Sequence, residues 1–212
     1  MFADRVDAGR QLAQELLTRG VPRDAVVLGI PRGGVVVAAE VARILDLPLD
    51  VVAAAKIGAP SNPEYAIGAV AADGEVFANP TSGYSLEEAR YDSGPALAKV
   101  RHTLAEFRSG RPPLALSGRT AIVVDDGLAT GLTALAAVEY VRRCGADKVV
   151  LAAPVAPPGS ASALEPHVDE LIVLETPAGF SAVGQFYSRF GQTEDYEVSA
   201  LLDEAAARTL EQ

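Results

Sequence analysis

The chain has 212 residues, 49% of them hydrophobic and 22% charged, which is enough for one domain with a sizeable core. With 18 basic and 28 acidic residues, the formal net charge is −10, and nothing in the sequence suggests the basic face of a general nucleic-acid binder. No apolar run approaches the roughly 20 residues of a membrane span. The single cysteine, Cys144, excludes an internal disulfide and a cysteine-cluster metal site. The first residues carry charges where an export signal needs an apolar core, so we expect a cytoplasmic protein.

Short runs of Val, Ala and Ile alternate with longer segments of helical period, which is the pattern of an α/β protein with a parallel sheet. In chain order, the pattern predicts a helix ending at Gly20, a strand at 25–30, a helix at 35–45, a strand at 49–55, a strand at 120–124, a helix at 132–144, and strands at 148–153 and 171–174. These elements form two strand–helix–strand units. We therefore predict a Rossmann-like parallel sheet flanked by helices.

A long insertion, residues 57–118, separates the two units. An Asp-Gly pair at 73–74 between apolar runs predicts a β-hairpin. The sequence Ser-Leu-Glu-Glu at 85–88 has the spacing of a capping box, and Pro95 can open a further helix. Beyond the second unit, residues 156–170 form a connection rich in Pro, Ser and Ala, and the acidic run at 194–197 is predicted to be a solvated turn.

The most informative segment runs from Ile122 to Thr133. A buried strand ends in two adjacent acids, Asp125 and Asp126, and a turn of small residues leads into a helix. Free N–H groups at a helix start bind phosphate, and adjacent carboxylates suit sugar hydroxyls or Mg²⁺ with its waters. Open α/β sheets bind ligands at this edge. The two common nucleotide signatures, a P-loop and G-x-G-x-x-G, are absent, and the alternative interpretation is a plain turn with an acidic helix cap.

This segment, Val-Val-Asp-Asp-Gly-Leu-Ala-Thr-Gly-Leu-Thr at 123–133, resembles the motif of type I phosphoribosyltransferases that binds phosphoribosyl pyrophosphate (PRPP). The resemblance implies that Asp125 and Asp126 hold the ribose hydroxyls and are the catalytic acids, with Mg²⁺ held mainly through PRPP near them. It implies that the 5-phosphate is bound by the loop residues Gly127, Leu128, Ala129, Thr130, Gly131 and Thr133. In hypoxanthine-guanine enzymes an Asp general base occupies the position of Ala129, so that base is absent here.

The same resemblance assigns a pyrophosphate loop to the turn after the first strand. Arg32, Gly33 and Gly34 would meet the diphosphate there, and a cis peptide is expected between Arg32 and Gly33. Lys56, at the end of the second predicted strand, is a further candidate for the diphosphate. Taken alone, the turn could be an ordinary Gly-rich turn, and the lysine a solvated charge.

The insertion lies where the family has its mobile catalytic loop, which closes over the reaction centre. The sequence does not identify catalytic residues in this loop, and Glu64 and Tyr65 are weak candidates. Phe180, Phe186 and Tyr187 lie where many members of the family have a hood that stacks on the acceptor base, although ordinary core packing explains them equally well.

The resemblance covers about residues 25–155 and implies a type I phosphoribosyltransferase fold. We predict one domain over 1–212, divided into a core at about 20–56 and 119–175, an inserted flap at about 57–118 and a hood at about 176–200. The predicted activity is Mg²⁺-dependent transfer of the phosphoribosyl group from PRPP to a nitrogenous base, with release of pyrophosphate, as in nucleotide salvage. A non-catalytic PRPP- or nucleotide-sensing regulatory protein is the main alternative, and an Asp-Asp metal hydrolase is a third. The acceptor is not identified, and a homodimer is left open.

Overall fold

The computed structural model describes residues 1–210. Its helices are α1 (Arg5–Arg19), α2 (Gly33–Leu45), α3 (Leu86–Tyr91), α4 (Gly94–Arg108), α5 (Leu132–Arg143), α6 (Pro158–Leu164) and α7 (Asp195–Leu210). Its strands are β1 (Val26–Gly29), β2 (Leu49–Val51), β3 (Ala54–Ala59), β4 (Asn62–Ala71), β5 (Val76–Ala78), β6 (Thr120–Val124), β7 (Lys148–Val155) and β8 (Glu170–Glu175). Short 3₁₀ turns at 165–167 and 183–186 complete the described elements.

The core is a five-stranded, fully parallel sheet in the order β2-β1-β6-β7-β8. The central strands β1, β6 and β7 are mostly apolar because both faces of the sheet are covered. Ile122 and Val124 of β6 pack into the cluster that contains α1, α2 and α7, whereas Ala121 and Val123 pack into the cluster that contains α5. The prediction of a Rossmann-like parallel sheet flanked by helices is confirmed.

The insertion folds as a three-stranded antiparallel sheet, β3-β4-β5, with α3 and α4 beside it. The predicted hairpin joins β4 to β5, and Gly74 takes a φ of +91° in its turn, a value that favours glycine. The predicted capping box is present: Glu88 N donates to Ser85 Oγ, and Ser85 N donates to Glu88 Oε2. Pro95 lies in the first turn of α4, as predicted.

The predicted strand at 49–55 is wrong in its extent. The chain leaves the parallel sheet after β2, and β3 begins a different sheet at Ala54, so Lys56 lies on a strand of the insertion. Val52 and Ala53, between the two strands, are buried. The apolar run is therefore continuous across both sheets, which is why hydrophobic pattern alone could not show the break.

One further prediction near the carboxyl end of the chain is wrong: the acidic run at 194–197, predicted to be a solvated turn, begins α7. The connection at 156–170, for which no element was predicted, contains α6. Acidic side chains in a first helical turn favour the helix electrostatically, and Glu194 N donates to the Glu197 carboxylate at 2.7 Å. The buried face of α7, which includes Val198 and Leu202, packs into the same cluster as α1 and α2.

A buried ion pair attaches the insertion to the core. Asp50 of β2 is 7% exposed, and both of its carboxylate oxygens accept hydrogen bonds from Arg108 of α4 at 3.1 Å. Leu114 N donates to the same carboxylate at 3.1 Å, so the segment that leads back into the core is fixed at the same point.

The amino-terminal residues pack against the segment 186–188. Phe2 N donates to Phe186 O, Ser188 N donates to Phe2 O, and the Phe2 ring packs on Tyr187 with centroids 5.4 Å apart. The first residues therefore support the segment predicted to be a hood. Within residues 1–210, none of the helices has the length and hydropathy needed to span a bilayer.

Candidate active site

A cleft of about 210 Å³ opens at the carboxyl ends of β1 and β6, the edge at which open parallel sheets bind ligands. Its wall is formed by the loop 127–131, by Thr133 in the first turn of α5, by Asp125, by Pro31 and by Lys56. Three segments that are distant in sequence thus meet around one small polar space: the turn after β1, the turn after β6 and the strand β3.

The loop that enters α5 is fixed at several points. Leu128 is 1% exposed, and its N–H donates to Val155 O at 2.9 Å. Gly131 precedes α5 with a φ of +76°, and a Cβ there would lie 2.9 Å from a Leu164 methyl group. Ser160 Oγ donates to Ala129 O at 2.6 Å. Because the first N–H groups of a helix have no partner within the helix, this anchored loop is suited to an anion such as a phosphate.

The two adjacent acids have different surroundings. Asp125 lines the cleft, and its Oδ1 accepts the Asp126 N–H at 2.8 Å. Burial, followed by repulsion from the Asp126 carboxylate, raises the pKa of Asp125 well above its ordinary value, and Arg5 partly offsets that rise. Asp126 does not line the cleft: its Oδ2 accepts a hydrogen bond from Arg5 Nε at 2.7 Å.

The turn after β1 packs directly against these acids. A Cβ on Gly33 would lie 2.0 Å from Asp126 Oδ2, and one on Gly34 would lie 2.9 Å from Asp125 Cα. At Gly34 the close atoms include backbone, so glycine is required there, whereas at Gly33 the close atoms all belong to side chains. The cis peptide joins Pro31 to Arg32, so the expected position between Arg32 and Gly33 is wrong by one residue.

The two basic candidates for a diphosphate are placed differently. Lys56 is exposed on β3 and lines the cleft. Arg32 lies outside the lining and forms an ion pair with Asp195 at the start of α7, with 3.3 Å between Nη1 and Oδ1. Its side chain is 39% exposed, so solvent screens the pair and only a weak interaction is expected.

The aromatic residues of the predicted hood do not line the cleft. Phe180 and Phe186 stack with centroids 5.3 Å apart. Tyr187 is 6% exposed, and its hydroxyl donates to the backbone carbonyl of Asp126 at 2.6 Å. Burial, and then the Asp126 charge, raise the pKa of Tyr187, so it acts as a neutral donor. Glu64 and Tyr65 are exposed on β4 and also lie outside the lining.

The residue that sequence reasoning missed is Arg5. It contacts Asp126 across 121 positions of sequence, and no local motif marks it. One weak signal exists: Arg5 is the first residue of α1, where the helix dipole disfavours a positive side chain. A cation in that position indicates an acidic partner elsewhere.

The donor set bears on how Mg²⁺ could be held. Among residues 1–210 there is no group of three or more His, Cys, Asp or Glu side chains that could hold a metal ion. Mg²⁺ in phosphate-handling sites is commonly bound through one or two carboxylates, with water and substrate phosphates completing the octahedron. The Asp125 carboxylate beside the loop 127–131, which is suited to a phosphate, fits that arrangement.

Comparison with known proteins identifies the family. The model of the phosphoribosyl transferase domain matches residues 3–184, so the chain belongs to the phosphoribosyl transferase domain family. It is 47% identical over 209 residues to the "Putative phosphoribosyl transferase" of Mycobacterium tuberculosis, in strains CDC 1551 / Oshkosh and ATCC 25618 / H37Rv. The match covers 97% of this chain and 47% of those proteins, so the chain spans about half the length of the curated relatives it matches.

Among solved structures, the chain is similar to TT1426 from Thermus thermophilus, with 41% identity and a TM-score of 0.82. That match covers 96% of this chain and 98% of the other, and therefore includes the insertion and the C-terminal segment. The type I phosphoribosyltransferase family named from the motif at 123–133 is confirmed.

Proposed function

We propose that this chain is a Mg²⁺-dependent phosphoribosyltransferase that moves the phosphoribosyl group of PRPP to a nitrogenous base and releases pyrophosphate. One observation carries the proposal. Asp125, the anchored loop 127–131 and Lys56 surround a single cleft at the carboxyl edge of the parallel sheet. Binding of PRPP requires three things: an acceptor for the ribose hydroxyls, a binding site for the 5-phosphate and a cation for the diphosphate.

The reaction breaks the bond between C1 of the ribose and the pyrophosphate oxygen, while a nitrogen of the acceptor forms the new bond to C1. Positive charge develops on the sugar ring, as in glycoside chemistry, and negative charge grows on the leaving diphosphate. Asp125 and Asp126 would hold the ribose hydroxyls and stabilise the positive ring. Lys56 would stabilise the leaving group, and bound Mg²⁺ would supply further charge neutralisation there.

Arg32 has a conditional part in this scheme. Its guanidinium contacts Asp195, so it must leave that exposed pair before it can reach a diphosphate in the cleft. A screened pair of this kind is worth at most about 1 kcal/mol, which a charge-assisted contact with phosphate oxygens readily offsets. The loop 127–131, by contrast, lines the cleft already, so it would receive the 5-phosphate without rearrangement.

A second candidate is a PRPP- or nucleotide-sensing regulatory protein without turnover. The observation that favours it is the cleft lining, in which Asp125 and Lys56 are the only ionisable side chains among the described residues. Ala129 stands where hypoxanthine-guanine enzymes have an Asp general base, so the acceptor must lose its proton without that group.

The direct test is incubation of the protein with PRPP and Mg²⁺ in the presence of a panel of purine and pyrimidine bases, with pyrophosphate release as the measurement. Release that depends on one base supports transfer. Release without a base indicates hydrolysis, and PRPP binding without release with any base supports the sensor.

The site itself is tested by replacing Asp125 and Asp126 together with Asn. We expect loss of turnover with an unchanged fold, measured by pyrophosphate release and circular dichroism. Asp147→Asn is the matched control, because Asp147 is exposed beside the opposite, amino-terminal end of β7. Full activity in the double variant would remove both acids from the ribose site.

The diphosphate assignment is tested with Lys56→Ala against Lys99→Ala, since Lys99 is exposed on α4 and does not line the cleft. We expect about tenfold weaker PRPP binding in the first variant and no change in the second, measured by calorimetry. Equal affinities in the two variants would exclude Lys56 from the site.

A further inference from the structure

Three contacts hold the Arg5 side chain beside the acid pair. Its Nε donates to Asp126 Oδ2 at 2.7 Å, and its Nη1 donates to Gly191 O at 2.7 Å. Its guanidinium carbon lies 3.9 Å from the centroid of the Phe190 ring, within the range of a cation–π contact. A guanidinium held on two edges and one face has little rotational freedom left.

Burial separates this ion pair from ordinary surface pairs. The side chains of Arg5 and Asp126 are 14% and 16% exposed, whereas Arg10, on the same helix, is 60% exposed in its pair with Glu40. Exposed pairs are screened by water and contribute little, whereas hydrogen bonds to charged groups are stronger where water is largely excluded. The contact therefore fixes the Asp126 side chain firmly.

The two oxygens of Asp126 differ. Oδ2 accepts a hydrogen bond from Arg5, whereas no N–H group among residues 1–210 donates to Oδ1; the Asp125 carboxyl is a further hydrogen-bonding neighbour of Asp126. The backbone of Asp126 is held as well, through the Tyr187 hydroxyl on its carbonyl and through Asp125 Oδ1 on its N–H. One carboxylate oxygen is thus available on a side chain whose other atoms are fixed.

We infer that Arg5 is a positioning residue for Asp126: it holds one carboxylate oxygen so that the other receives a ribose hydroxyl. The inference rests on the proposed PRPP site. It also accounts for a cation at the start of α1, because the unfavourable interaction with the helix dipole is offset by the Asp126 charge. An arginine provides two N–H edges in one plane, which the Gly191 carbonyl and the carboxylate occupy together.

The test measures affinity for PRPP with Mg²⁺, for ribose 5-phosphate and for inorganic phosphate in wild type, Arg5→Ala, Arg5→Lys and Arg10→Ala. Arg5→Ala should weaken the binding of PRPP and of ribose 5-phosphate about tenfold or more, because both compounds carry the hydroxyls that Asp126 would bind. Inorganic phosphate should bind unchanged, which shows that the loop 127–131 is intact. Arg5→Lys should recover part of the loss, and Arg10→Ala should match wild type.

A double-mutant cycle distinguishes positioning from a separate contact. If Arg5 acts through Asp126, Arg5→Ala combined with Asp126→Asn should bind PRPP no more weakly than Asp126→Asn alone. Additive losses would overturn the inference, as would wild-type or tighter PRPP binding by Arg5→Ala, or an equal loss for inorganic phosphate. Wild-type protein that fails to bind PRPP, or binding that Asp126→Asn leaves unchanged, would instead overturn the proposed site and the inference with it.

Discussion

The close approach of the turn after β1 to the acid pair gives a sharp prediction for Gly33→Ala. The new Cβ would stand 2.0 Å from Asp126 Oδ2 and 2.6 Å from Arg5 Nε, whereas ordinary contacts begin at 3.4 Å. The carboxylate oxygen must therefore move by about 1.4 Å, which breaks its 2.7 Å hydrogen bond to Arg5. Gly33 does not have a positive φ, so alanine suits the backbone at the first residue of α2.

The expected effects on stability and on binding differ in size. The obstructing atoms are ends of side chains, which can turn away, and alanine favours a helix over glycine by up to about 1 kcal/mol. The free energy of unfolding should therefore fall by no more than about 1–2 kcal/mol, the lower part of the range for overpacking. Displacement of a functional group by about 1 Å can lower an enzyme's activity up to about 100-fold, so we expect the affinity for PRPP to fall between tenfold and 100-fold.

Calorimetric titration with PRPP and Mg²⁺, together with urea unfolding, measures the two effects. Gly159→Ala is the control, because a Cβ at Gly159 meets nothing within 4 Å. Wild-type PRPP affinity in Gly33→Ala would contradict the placement of Asp126 in the ribose site. Loss of folding would contradict the claim that only side-chain ends obstruct the new methyl group.

Three other predictions follow from buried polar groups. Asp125→Asn should raise the melting temperature at neutral pH, because the raised pKa of Asp125 makes the folded wild-type protein lose stability as the pH rises through that pKa. The difference in melting temperature between the variant and wild type should narrow as the pH falls toward 3.8, the ordinary pKa of an aspartate. A difference independent of pH would contradict this cause. Arg108→Leu should lower the free energy of unfolding, measured by urea denaturation, by about 3–5 kcal/mol, because it leaves the Asp50 carboxylate buried without its charged partner. A change below about 1 kcal/mol would show that water screens the pair. Tyr187→Phe should lower the free energy of unfolding by about 1 kcal/mol and weaken PRPP binding several-fold, since it removes the donor to the Asp126 carbonyl. Unchanged PRPP affinity in calorimetric titrations would contradict a role of this hydrogen bond in PRPP binding.

Sequence reasoning was most accurate where short-range effects decide the structure. The predicted strand at 120–124 matches β6, and α5 begins at Leu132 as predicted. The capping box at 85–88 and the hairpin turn at 73–74 also formed as predicted. An apolar run, a capping side chain and a turn glycine each act over a few residues, so their consequences can be inferred locally.

The sequence alone determined the family, the parallel sheet and the phosphate-suited turn beside two acids, because those features lie within continuous segments. Only the tertiary structure decided what each polar group contacts: Arg5 holds Asp126 across 121 positions, Arg32 contacts Asp195, and Lys56 reaches the cleft from a second sheet. The physical reason is that an ion pair depends on which segments meet in space. The sequence pattern records that a side chain is charged but does not identify its distant partner.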